Sequence, residues 1–213
     1  MENIIFKTSN NNDTIAVCSF DELIELEFAG LEKQISSQEI TDIKSFSNEN
    51  FRRQKMAGRV LLNNLLGKAG KIEYNQHGKP LIKSHPLDIS FSHCKDKVAV
   101  MLSKKIAGID IQDISLKIRR IVHKFLNEPE LKSIKEETFE THATIYWCAK
   151  EALYKAYGER QLIFTDNIVI EPFSFIPEGG KFHGSIVLEN SKKDFVLNYK
   201  LTGIFALVYI WNE

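Results

Sequence analysis

Apolar positions recur along this chain with two different spacings, and the changes from one to the other mark out its elements. In IIFKTSNNNDTIAVCSF, short runs of Ile, Val and Phe are interrupted by Ser, Asn and Asp, which predicts two strands around a polar turn, at the edge of a sheet. From Ser36 the spacing becomes helical. Ser36 or Ser37 offers an N-cap for SSQEITDIKSF, and NFRRQKMAGRVLLNNLLGKAG sets Phe51, Met56, Val60, Leu61, Leu65 and Leu66 near one face of a long helix. Arg52, Arg53, Lys55 and Arg59 ride on that helix, usually the mark of a solvated face, although such a cluster could also meet phosphate. KIEYNQHGKPLI then breaks at Gly78-Lys79-Pro80, a stiff turn between extended segments that could present Lys79 outward. LDISFSHCKDKVAVMLSKK alternates in two apolar runs about CKDK, the pattern of a β-hairpin whose first strand ends at Ser92-His93.

The second half repeats this alternation of textures. IAGIDIQDI is a short β-branched run with Asp110 between Ile109 and Ile111, where a strand should be mostly apolar, so this carboxylate needs a cation or a hydrogen-bonding partner. KFLNEPELKSI carries a helix-start signature: Asn127 as N-cap, Pro129 in the first turn and Glu130 in capping-box position. In IYWCAKEALYKAYG, helical periodicity gathers Ile145, Cys148, Ala149, Ala152, Leu153 and Ala156 on one buried face, and Gly158 is a stop signal. Glu151 and Lys155, four apart, lie side by side at the rim of that face. On its own such a pair is an ordinary surface ion pair worth a few tenths of a kcal/mol. Beyond Gly158 the chain is strand-rich, with Gly179-Gly180 and Ser191 to Lys193 as turn material.

Bulk properties narrow the function. The chain has 213 residues, 43% hydrophobic and 26% charged, which is ordinary globular composition. Lys plus Arg and Asp plus Glu each total 28, so no basic excess points to nucleic acid, and a charged ligand must be held locally. Cys18, Cys94 and Cys148 are odd in number and widely spaced, and read as core thiols of a reducing compartment. No apolar run approaches the roughly 20 residues that span a bilayer, and the start of the chain has no signal-sequence pattern, so a soluble cytoplasmic protein is expected, with no membrane partner.

Three groups call for a joint explanation: GKP at 78–80 with FSH at 91–93, GIDIQ at 108–112, and WCAKEALYK at 147–155. In this order and spacing they resemble the 4'-phosphopantetheinyl transferase superfamily, in its monomeric, two-lobed, surfactin-synthetase-activator type. That family's pattern is a Gly-Lys/Arg-Pro turn, a Ser-His after a strand, Gly-[Ile/Val]-Asp-[Ile/Val]-Glu, and Trp-x-x-Lys-Glu-[Ala/Ser]-x-x-Lys. The last motif is the specific one. Milder likeness extends over AGRVLL at 57–62, KFLNEPEL at 124–131 and the closing strand, so that the resemblance covers most of residues 45 to 213.

The resemblance implies an α+β fold of two similar lobes, 1–105 and 106–213, related by a pseudo-two-fold with the active site in the cleft between them. It implies transfer of phosphopantetheine from coenzyme A, the co-substrate, to a serine of an apo acyl or peptidyl carrier protein, with release of 3',5'-ADP. Asp110 and Glu151 carry over as oxygen ligands for Mg²⁺, and Lys155 as a diphosphate contact. Lys79, Ser92 and His93 carry over as coenzyme A contacts, with Arg53 adding charge from the preceding helix. The general base is Glu151, Glu130 through a water, or a metal-bound hydroxide. One position departs: the family's usual Glu is Gln112, which removes a negative charge from the metal site and leaves a carbonyl oxygen as a ligand. Asp113, next to it, points to the other face of a strand and is not a substitute. Two alternatives from other classes are a Mg²⁺-dependent phosphohydrolase or nuclease, which uses the same residue types, and a non-catalytic binder of coenzyme A or carrier protein, which Gln112 would suit. A monomer is expected, since two fused lobes remove the family's main reason to oligomerise.

Overall fold

The computed structural model of the chain describes residues 4–20, 30, 35–83, 85–159 and 161–213. It divides into two compact units, Met1–Lys105 and Ile106–Glu213, each with its own antiparallel sheet and helices, an α+β organisation.

In the first unit, strands β1 (Ile4–Ser9) and β2 (Asp13–Ser19) pair around the Asn-rich turn, with β1 at the sheet edge. The turn is local chemistry: the Asn10 side-chain oxygen accepts from the N–H groups of Asn12 and Asp13, at 2.8 and 2.6 Å. Helix α1 (Ser37–Ser45) starts at Ser36, whose hydroxyl accepts from the Glu39 N–H. Helix α2 (Glu49–Leu66) is capped by Asn48 and ends at Gly67. Strands β3 (Ile72–Tyr74), β4 (Pro80–Ile82), β5 (Asp88–Cys94) and β6 (Lys97–Ser103) complete, among the described residues, a six-stranded sheet in the order β1-β2-β6-β5-β4-β3. Its core joins Ala57, Val60, Leu61 and Leu62 of α2 to Ala16, Cys18, Ile89, Val98 and Val100 of the strands.

One expectation changes here. The buried stripe of α2 is centred on Ala57 to Leu62, with the half-buried Met56, Leu65 and Leu66 of the expected apolar face packed against the same core. Arg59 belongs to this stripe and not to a solvated face: only 5% exposed, its guanidinium pairs with Glu39 of α1 at 2.5 Å and donates to the Gly70 carbonyl at 2.7 Å. An arginine can occupy such a place because its fork finds a carboxylate and a carbonyl at once.

In the second unit, β7 (Ile109–Asp113) is followed by two short 3-10 turns, helix α3 (Glu128–Lys132) and helix α4 (Phe139–Tyr157). Strands β8 (Ile168–Ile170), β9 (Gly180–Leu188), β10 (Ser191–Thr202) and β11 (Phe205–Ile210) close, among the described residues, a five-stranded sheet in the order β7-β11-β10-β9-β8. Ser191 to Lys193 are strand and not turn: Ser191 pairs with Leu188, so the hairpin turns at Glu189 and Asn190. Helix α4 lies on this sheet, against β7, β11, β8 and β9, and all six residues of its predicted apolar face are buried. It stops at Gly158, which takes the left-handed conformation with φ of 70°.

Toward its start α4 buries an imidazole. His142, 2% exposed, stacks on Tyr146 and meets Phe173 edge-on, and its Nε2 has no hydrogen-bond partner among the described residues. Burial holds its pKa down, from 6.5 to about 4. The folded state therefore keeps a neutral ring where the unfolded chain takes up a proton, and stability is complete above 6.5 and lost as pH falls toward 4. Urea unfolding at a series of pH values should show this loss, and His142→Phe should flatten it; an unchanged pH slope in that variant would contradict the assignment.

Candidate functional site

The site begins with a missing side chain. A Cβ on Gly108 would lie 2.3 Å from the Ala152 carbonyl oxygen, 2.8 Å from Ile210 Cδ1 and 3.0 Å from the Ala156 Cβ. No side chain fits, so the approach to β7 runs directly against the backbone of α4, and the Gly108 carbonyl is held by the Ile210 N–H at 2.9 Å. The alanines of α4 permit the same closeness from the helix side.

That contact decides where Asp110 goes. Gly108, Asp110 and Gln112 share one face of the strand by alternation, the face toward α4. Asp110 is 6% exposed, and its Oδ1 meets the Lys155 ammonium at 2.6 Å; the same ammonium donates to the Ile109 carbonyl at 3.1 Å. Lys155 is thus the cation that a carboxylate in an apolar strand requires. The helical neighbours Glu151 and Lys155 are more than an isolated surface pair, because the ammonium turns across to the strand.

Glu151 stands half-buried, one helical turn before Lys155. Its carboxyl is pushed above the ordinary value, first by burial and then by the negative charge of Asp110, against the pull of Lys155. The two carboxylates therefore sense each other's charge. Gln112 is half-buried further along the Asp110 face, opposite Ala206 on β11. Among the described residues no group of three or more His, Cys, Asp or Glu side chains is placed to hold a metal; what links Asp110 and Glu151 is the charge of the first acting on the second. Two mutually repelling hard oxygen donors, with an amide carbonyl on the same strand face, fit a divalent cation that keeps several of its own waters.

Glu130 lies elsewhere in this unit. It completes a capping box with Asn127, whose N–H donates to Oε2 at 2.9 Å, and its Oε1 accepts from the Ile170 N–H at 2.8 Å. Oε2 also meets the Lys150 ammonium at 2.8 Å, and both side chains are essentially unexposed. The capping geometry read from NEPE is present. The partner Lys150 was not anticipated: the only sign of it in the sequence is a lysine close to the buried side of the WCAKEALYK wheel.

The remaining candidates belong to the first unit. Lys79 does not point outward: its ammonium pairs with Asp88 at 2.7 Å, and the two side chains are 15% and 16% exposed. The reason is strand pairing, since β4 runs beside β5 and brings the residue after Gly78 over the start of β5. Ser92 is buried on β5 opposite Ala99, and His93 next to it is exposed, its ring edge-on to Phe51 of α2 at 5.8 Å. Arg53, two residues along from Phe51, is half-buried. This unit therefore gathers His93 with the start of α2, while Lys79 pairs with Asp88 at the other end of β5, five residues or about 16 Å from His93 at the usual strand rise of about 3.3 Å per residue.

If the Gly108 contact governs the geometry, Gly108→Ala should force β7 and α4 apart, lower stability by about 1–3 kcal/mol and open the Lys155–Asp110 pair. Denaturant unfolding and a crystal structure of the variant check both effects. Unchanged stability with the pair intact would show that the helix has room to spare.

Comparison with known proteins bears on the same stretch. The family model of the 4'-phosphopantetheinyl transferase superfamily matches residues 107–198. No curated protein matches the chain. The matched span contains Gly108, Asp110, Gln112, Glu130, Glu151 and Lys155 and leaves out Arg53, Lys79, Ser92 and His93. It supports a transferase over the part of the chain that carries the Asp110, Glu151 and Lys155 charges.

Proposed function

We propose that this chain transfers 4'-phosphopantetheine from coenzyme A to a serine of an apo carrier protein, in a Mg²⁺-dependent reaction that releases 3',5'-ADP. The observation that carries this reading is the Lys155–Asp110 contact beside Glu151, within the stretch matched by the superfamily model. The serine oxygen bonds to the phosphorus that bears pantetheine, the bond from that phosphorus to the bridging oxygen breaks, and 3',5'-ADP leaves with the electron pair. Such a reaction needs positioned positive charge around a diphosphate and a base for the serine proton.

Asp110 and Glu151, with the Gln112 carbonyl, would hold Mg²⁺, which when bound shields the charge of the diphosphate. A raised carboxyl means that charging Glu151 costs the folded protein stability as pH climbs through its range, a cost that a cation between the carboxylates would relieve. Lys155 supplies the ammonium for a diphosphate oxygen. Glu151 is our choice for the group that takes the serine proton, because it is only half-buried, whereas the alternative Glu130 has both oxygens engaged and essentially no exposed surface. In the first unit, exposed His93 suits a phosphate group; Ser92 precedes it, and half-buried Arg53 is two residues along α2 from the Phe51 ring that His93 meets. Lys79, paired with Asp88 as Lys155 is with Asp110, would share its ammonium between that carboxylate and a coenzyme A oxygen.

Mass spectrometry of an apo carrier protein incubated with coenzyme A and Mg²⁺ tests the reading. A gain equal to phosphopantetheine on one serine is expected. Coenzyme A cleaved with no gain selects a phosphohydrolase, and intact coenzyme A with no gain selects a binder. Glu151→Gln and Asp110→Asn should each lower transfer by about a hundredfold or more while remaining folded, since each removes a charged ligand from a set of two. Near-wild-type turnover in either at saturating Mg²⁺ would remove that residue from the site.

A further inference from the structure

Lys150 precedes Glu151 directly, and its surroundings are unlike those of any other lysine described here. Its side chain is 0% exposed, and the ammonium has three acceptors: Glu130 Oε2 at 2.8 Å, the Phe164 carbonyl at 2.8 Å and the Ile168 carbonyl at 2.7 Å. An ammonium has three N–H donors, so its capacity is filled. Glu130 is equally engaged, by Asn127 and Lys150 on Oε2 and by Ile170 on Oε1. The first turn of α3, the segment before β8, β8 itself and α4 are therefore tied at one point.

Stability alone is a poor reason for this arrangement. Desolvating two charges is expensive, and apolar residues of similar volume commonly hold an interior as well or better. What an ion pair adds is direction, because its hydrogen bonds exist at one orientation of the helix only. Gly108 and Asp110 hold one side of α4, through Ala152, Ala156 and Lys155. On the side facing α3 and β8, Lys150 supplies the charged tie, with the Tyr146 hydroxyl bonded to that of Ser133, the C-cap of α3, at 2.7 Å one turn earlier. A helix turning by about 20° carries a side-chain tip at a radius of about 6 Å through about 2 Å, far more than the roughly 0.5 Å that a reacting group tolerates.

We propose that the buried Glu130–Lys150 pair is a positioning device that fixes the rotation of α4 and so aims Glu151 at the strand face of Asp110. Glu130 acts through Lys150 and does not touch substrate. Lys155 has its own ties, to Asp110 and the Ile109 carbonyl, and stays in place without the pair. The activity arm of the test rests on the transferase reading; the structural arm does not.

The test compares wild type with Glu130→Gln, Lys150→Met and the double variant, which removes the buried charge from both sides and leaves no unpaired ion. In the double variant, kcat per folded molecule should fall about tenfold or more while KM for coenzyme A stays within about twofold. Its crystal structure should show the Glu151 carboxylate displaced by about 1 Å or more, with the Lys155–Asp110 contact kept. An undisturbed Glu151, or wild-type kcat in a variant of lowered stability, would reduce the pair to a structural contact. Loss of transfer in Glu130→Gln with full kcat in Lys150→Met would instead make Glu130 the base and overturn the proposal. Should Lys150→Met not fold, Glu130→Gln decides by the same crystal comparison, because it removes the charge from the tie and leaves a single acceptor oxygen where Asn127, Ile170 and Lys150 now share two. A wild type that transfers nothing contradicts the transferase reading, and the position of Glu151 still decides the positioning claim.

Discussion

The backbone contact between Gly108 and helix α4 is the constraint on which the second unit's site depends. Where a Cβ would come within 2.3 Å of a helix carbonyl, strand and helix are as close as they can be, and the side chains that follow are committed to small spaces. Asp110 is carried with them into a place that a lone carboxylate could not occupy. Lys155 makes that place tolerable, and in doing so leaves the surface where helical spacing alone would have it pair with Glu151. Glu151, half-buried near a second negative charge, is left with a raised pKa. One absent methyl group, one ion pair and one perturbed carboxyl are consecutive consequences of the same close packing.

Helix α4 is held from more than one direction. Six apolar residues seat it on the sheet, Gly108 sets its distance from β7, and the Glu130–Lys150 pair ties its other side to α3 and β8. Hydrophobic burial sets which face is inward but is tolerant of small rotations, whereas the two ion pairs, Lys155–Asp110 and Lys150–Glu130, have fixed directions. Their acceptors lie on separate segments of the same unit.

Much of this could be read from residue order, and the exceptions share a cause. Caps and turns were open to sequence reasoning because their causes are local: Ser36 and Asn127 bond to N–H groups three residues away, and Gly158 takes the left-handed conformation that ends α4. The apolar face of α4 and the need of Asp110 for a cation followed from periodicity and from the cost of burying charge. What local pattern did not show was partnership across the chain. Lys79 turned inward because Asp88 waits on the neighbouring strand, Arg59 is buried because Glu39 and Gly70 receive it, and Lys150 is buried because Glu130 does. The hairpin at Glu189-Asn190 was misplaced for a related reason: Ser191 to Lys193 are polar enough for a turn, yet pairing with β9 makes them strand.

The functional account turns on whether Asp110 and Glu151 form one site for a cation and a diphosphate. Its most direct test is calorimetric titration of coenzyme A into wild type and Asp110→Asn, each with and without Mg²⁺. Mg²⁺ should tighten binding to wild type by about tenfold or more and leave Asp110→Asn unaffected, since the metal would join the diphosphate to the carboxylates. Equal coenzyme A affinity in both proteins, with and without Mg²⁺, would contradict it.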